Sequence, residues 1–130
     1  TAGRRRMTAG LDIVIRHRLG AFTLDATLRS QGGLTALYGP SGSGKTSLVN
    51  VIAGLIRPES GHVRHDGEAL FDRAGGVFVP PHRRRIGYVF QEARLFPHLS
   101  VRRNLLFGRW FAPRGKADRT DLAAVLDLLG

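Results

Sequence analysis

Gly39-Pro40-Ser41-Gly42-Ser43-Gly44-Lys45-Thr46 decides the reading of this chain, because it matches G-x-x-x-x-G-K-[S/T] between an apolar run and a helical pattern. Glycines at 39, 42 and 44 let the main chain curl so that successive N–H groups point at one anion, with no side chain blocking its approach. A polyphosphate held there lies at the positive end of the following helix. Lys45 then reaches the β and γ phosphates as a point charge, and the Thr46 hydroxyl ligates a Mg²⁺ that bridges them. The expected binding set is Gly39, Pro40, Ser41, Gly42, Ser43, Gly44, Lys45, Thr46 and Ser47. A flexible glycine linker is the rival explanation, but the four fixed positions coincide by chance in well under about 1% of chains this long. Lys45 is also one of only two lysines, where a compact ammonium is not replaceable by a guanidinium.

Upstream of the loop, Leu11, Ile13 and Ile15, then Phe22, Leu24, Ala26 and Leu28, keep a period of two and predict two half-buried antiparallel strands. Gln31-Gly32-Gly33 turns the chain into Leu34–Tyr38, whose apolar run predicts a fully buried parallel strand. Downstream, Leu48, Ile52 and Leu55 predict a helix stopped by Arg57-Pro58-Glu59-Ser60-Gly61. A hairpin is expected around Asp66-Gly67, since Asp-Gly readily takes the left-handed angles of a tight turn. Ile86–Phe90 is a second buried-strand candidate, Ser100 an N-cap for a helix through about Leu106, and Leu122, Val125, Leu126 and Leu129 a helical stripe ending at Gly130.

The 130 residues fit one domain, with residues 1–10 expected as a flexible extension. Having no cysteine excludes disulfides, thiolate metal sites and a cysteine nucleophile. No apolar run approaches the roughly 18 residues that cross a bilayer. The net charge of +10 comes almost wholly from arginines, scattered apart from Arg4–Arg6 and Arg83–Arg85, and scattered arginines are mostly solvated surface. His62, His65 and Asp66 do not predict a metal site, because strand positions 62 and 65 face opposite sides.

The loop with Ser47-Leu48, followed by Ile52-Ala53-Gly54-Leu55 and Pro58-Glu59-Ser60-Gly61, resembles the ABC transporter ATPases. Tyr88-Val89-Phe90-Gln91 looks like that family's strand and Q-loop, and Gln91 through Leu105 is most similar to its molybdate-import ATP-binding subunits. The resemblance implies an α/β fold: a P-loop NTPase core of the ABC ATPase type with an antiparallel β subdomain (11–99), truncated at the start of the helical subdomain (100–130). It implies ATP and Mg²⁺ as cofactors, Lys45 and Gln91 as the catalytic pair, and Thr46 and Gln91 as magnesium contacts. It further implies a homodimer of ATPase subunits and a membrane permease meeting the Gln91–Leu99 region. The expected place is the cytoplasmic face of the inner membrane, and no nucleic-acid partner is expected. An adenine-stacking aromatic belongs upstream of the loop, where His17 is the first candidate; Phe22, in phase with Leu24, fits core packing better. Two other readings stay open: a P-loop kinase or nucleic-acid motor, and a non-catalytic basic module binding nucleic acid.

The family's apolar strand ending in Asp-Glu, its switch histidine and its Leu-Ser-Gly-Gly-Gln signature do not occur in these 130 residues. The nearest stretch, Ala123–Asp127, is followed by Leu128 where Glu is required. Exposed sheet edges are also expected, since central strands of a parallel sheet would be missing. Phosphoryl transfer to water needs several groups acting together. The chain is therefore expected to bind nucleotide weakly or moderately and to show no magnesium-dependent phosphate release beyond that of Lys45→Ala in a steady-state assay; turnover lost on that substitution contradicts this.

Overall fold

The computed structural model describes residues 10–92, 94–111 and 122–129, which fall into two compact units, Thr1–Tyr88 and Val89–Gly130. In the first, the two alternating segments form β1 (Leu11–Leu19) and β2 (Phe22–Ser30), paired antiparallel from Leu11 opposite Ser30 to Leu19 opposite Phe22. Alternation buries Ile13, Ile15 and Leu24 on one face and exposes Arg16, Arg18 and Asp25 on the other. On its other side β1 pairs with β3 (Ser60–His65), which turns at Asp66-Gly67 into β4 (Glu68–Asp72); β4 then pairs with the short β5 (Val77–Phe78). Asp66 and Gly67 have φ of 51° and 82°, as the hairpin expectation requires. The sheet order is β2-β1-β3-β4-β5, and every pairing is antiparallel.

One helix, α1 (Lys45–Ala53), covers the apolar face. Its Leu48 and Val51 join Ile13, Ile15, Leu24, Val63, Leu70 and Phe71 in a single buried cluster. Burying one such side chain contributes roughly 1.5–3 kcal/mol over leaving it in water, so the helix is held to the sheet by packing rather than by its own propensity. α1 ends earlier than its apolar spacing predicts. Gly54, at φ 83°, donates to Val51 O (3.1 Å), and the N–H groups of Leu55 and Ile56 return to Asn50 O (2.8 and 3.3 Å). Leu55 therefore lies beyond the helix and is exposed.

Neither expected parallel strand is formed. Residues 34–38 and 86–90 make no strand ladder; Leu34 is fully exposed and Val89 95% exposed. A parallel strand needs neighbours on both sides, and the described sheet, antiparallel throughout, offers these segments none. The arginine expectation is corrected at one position, because Arg84 is only 4% exposed.

In the second unit, Ser100 Oγ accepts the Arg103 N–H (3.3 Å) and caps α2 (Val101–Leu106) as expected; a 3-10 turn follows at Phe107–Trp110. Asn104 closes the preceding loop, accepting from Phe96 N–H (2.8 Å) and donating to the carbonyls of Phe96, Leu99 and Ser100. The predicted stripe lies on α3 (Leu122–Leu129), while its stop at Gly130, the Arg4–Arg6 cluster and nearly all of the 1–10 extension fall outside the described residues.

Gly54 is required twice over: a Cβ there would lie 2.5 Å from Arg84 Nε, in a backbone conformation that side chains disfavour. Gly54→Ala is expected to lower stability by about 2–4 kcal/mol, read as a fall in the urea midpoint at unchanged slope. An unchanged midpoint contradicts this account of the helix end.

Candidate functional site: the glycine loop and the start of α1

The chain reaches the loop without regular structure, turns at Ser41-Gly42 with Gly42 at φ 78°, and closes with Ser43 N–H on Pro40 O (3.3 Å). Gly44, at φ 89°, precedes α1, and Leu48 N–H donates to its carbonyl (2.8 Å). No side chain caps this helix start, and the donors of a first helical turn have no partner within the helix, so they are available to an anion. A Cβ on Gly44 would meet Leu24 Cδ1 at 2.9 Å and Phe22 Cε1 at 3.2 Å. Loop and strand β2 thus approach each other as only a glycine permits.

Lys45 folds back over the loop it follows. Its Nζ donates to Gly39 O (2.7 Å), Pro40 O (2.6 Å) and Ser43 Oγ (3.2 Å), charge-assisted bonds that hold the loop curled. Six of the nine expected residues, Ser41, Gly42, Gly44, Lys45, Thr46 and Ser47, line a 340 Å³ hollow together with Phe22. The other three, Gly39, Pro40 and Ser43, are those Lys45 grips, and they border an adjoining 290 Å³ hollow with Leu24 and Leu37. Gln91 stands exposed on a bend of the second unit.

Phe22 corrects an expectation. Strand phase sets it on the core side, but it is the first residue of β2, past the edge of the packed cluster, and it is 41% exposed beside the loop. His17, opposite Leu24 in the ladder, is half-buried with an unpartnered Nδ1 and does not border the 340 Å³ hollow. His62 and His65 face different carboxylates, Asp12 (3.5 Å) and Asp66 (3.9 Å). Desolvation acts to raise the Asp12 carboxyl, but the Arg29 bond and the nearby positive groups prevail and hold it below the usual range. Arg84 and Tyr88 grip the far end of α1, Tyr88 through Asn50 of the helix itself; the sequence pointed to Arg84 only through the Arg83–Arg85 run and to Tyr88 only as part of a strand candidate, and did not single out Asn50.

A loop of this form between a strand-like run and a helix defines a P-loop nucleotide-binding domain. Comparison with known proteins gives its kind: the ABC transporter family matches residues 24–130, and the chain belongs to that family. It is similar to the molybdenum import ATP-binding protein ModC of Rhizobium etli, 60% identical over 92% of this chain and 34% of that protein. It is likewise similar to the protein of that name from Mesorhizobium japonicum, 60% identical over 89% of this chain and 31% of that protein. The one from Paramagnetospirillum magneticum is 55% identical, over 92% and 33% respectively. The chain spans about a third of the length of these curated relatives. Among the described residues no helix is long and apolar enough to cross a membrane.

Because Lys45 bonds the loop to itself, Lys45→Met is expected to speed amide exchange of residues 41–44 roughly tenfold or more in the absence of nucleotide. Unchanged exchange there means the ammonium does not hold the loop.

Proposed function

We propose that this chain is the nucleotide-binding part of the energy-coupling subunit of an ABC importer for molybdate or a related oxyanion. The observation that carries the reading is the Lys45 ammonium drawn over a curled glycine loop, beside an uncapped helix start. Those groups fit a triphosphate: the loop amides and the first turn of α1 take the phosphate oxygens, and Lys45 exchanges loop carbonyls for the β and γ phosphates. Phe22, bordering the same hollow, is the better placed of the two aromatic candidates to stack on the base. Thr46 and, by family resemblance, Gln91 are the proposed magnesium contacts; the ion supplies charge neutralisation on the β and γ oxygens.

In the whole protein the subunit hydrolyses ATP as a homodimer, with the attacking water oriented at Gln91 and the domain divided as residues 11–99 and 100–130. Its permease meets the Gln91–Leu99 region at the cytoplasmic face of the inner membrane. The cargo assignment is supported by the molybdenum-import relatives, and selectivity for it resides in other subunits.

Titration of the 130-residue chain with ATP, with and without Mg²⁺, tests the site. Lys45→Ala is expected to weaken binding by about 2 kcal/mol, roughly thirtyfold in Kd, and Phe22→Ala by roughly five- to thirtyfold, with a smaller effect on inorganic triphosphate. Equal affinity of wild type and Lys45→Ala would falsify the assignment of this loop.

A further inference from the structure

The far end of α1 is gripped from one short stretch of chain. Arg84 Nη1 donates to Val51 O and Ile52 O, both at 2.9 Å, and its Nε donates to Val79 O at 2.7 Å. Its guanidinium carbon lies 5.3 Å from the Phe78 ring centroid. Four residues on, the Tyr88 hydroxyl donates to Asn50 Oδ1 at 2.6 Å, while the Asn50 carbonyl accepts from Leu55 and Ile56. Between them Ile86 packs against the core cluster. Arg84, Ile86 and Tyr88 thus alternate with the exposed Arg85 and Gly87 along a segment that forms no ladder.

This placement has an electrostatic logic. The last carbonyls of a helix carry its negative end, so a buried guanidinium there is stabilised without a carboxylate. Burial pushes the Arg84 guanidinium down from its ordinary value, yet arginine stays charged. α1 is a single nine-residue rod whose first turn belongs to the glycine loop and whose last turn belongs to this grip.

We infer that Arg84, Ile86 and Tyr88 form a three-point clasp that makes residues 84–88 and the phosphate-loop helix respond as one body, so that occupation of the loop is felt in that segment. The inference rests on the nucleotide-binding reading of the loop and extends it to positioning residues that touch no ligand. An anion drawn to the first turn tightens the helix along its length, and the clasp passes that tightening to the stretch of chain that precedes Gln91 in sequence.

Hydrogen exchange of the 130-residue chain with and without Mg-ATP separates the possibilities. In the wild type, ATP is expected to slow exchange several-fold both at residues 41–48 and at residues 84–88. Tyr88→Phe, which removes one oxygen and keeps the ring, should retain the first protection and lose most of the second, as should Asn50→Ala. Asn50→Asp, whose carboxylate still accepts from the hydroxyl, should restore it. A purely structural role predicts faster exchange at 84–88 without nucleotide and an undiminished response to ATP, which overturns the clasp. Loop protection without any response at 84–88 in the wild type overturns it too. If the loop itself shows no protection, the nucleotide-binding reading fails, and the clasp fails with it.

Discussion

Everything described in the first unit depends on one packing constraint: among the described residues, the apolar face of an antiparallel sheet has one α-helix to bury it. Leu48 and Val51 of α1 enter the cluster formed by Ile13, Ile15, Leu24, Val63, Leu70 and Phe71, which fixes the helix axis against the sheet. Once that axis is fixed, both helix ends are fixed. The start is set beside β2, where Gly44 meets Leu24 and Phe22, and the end is set where Gly54 leaves room for Arg84. A short helix with no side-chain cap would fray in isolation, so its usefulness as a rigid support comes from the sheet beneath it.

The two cations at the helix ends do different work. Lys45 is bonded to carbonyls of the glycine loop and can exchange them for an anion, because those carbonyls remain near water and can be rehydrated. Arg84 is buried, and its carbonyl partners belong to the helix end and to the chain beside it, so releasing them would leave several polar groups unpaired. A compact ammonium suits the first task and a forked guanidinium the second. The arginine-rich composition of the chain conceals this division, since nothing in sequence separates Arg84 from Arg83 and Arg85. Within the second unit, by contrast, organisation is local: Ser100 and Asn104 satisfy backbone groups within a few residues of themselves.

The glycine loop, the period of two in β1 and β2, the Asp66-Gly67 hairpin and the Ser100 cap were legible in sequence because each rests on interactions between near neighbours, or on angles that only particular residues adopt. The family followed from the glycine loop together with Ile52–Leu55, Pro58–Gly61 and the stretch from Tyr88 to Leu105. What tertiary structure alone decided is where long-range partners exist. Leu34–Tyr38 and Ile86–Phe90 carry the composition of buried strands, but a strand is made by its neighbours, and the described sheet supplies none. Phe22 has the phase of a core residue and the position of an edge residue, so it borders the loop instead. Arg84 reads as solvated surface until α1 presents it with two carbonyls. Periodicity records which face of an element is apolar, whereas burial depends on what the rest of the chain brings against that face.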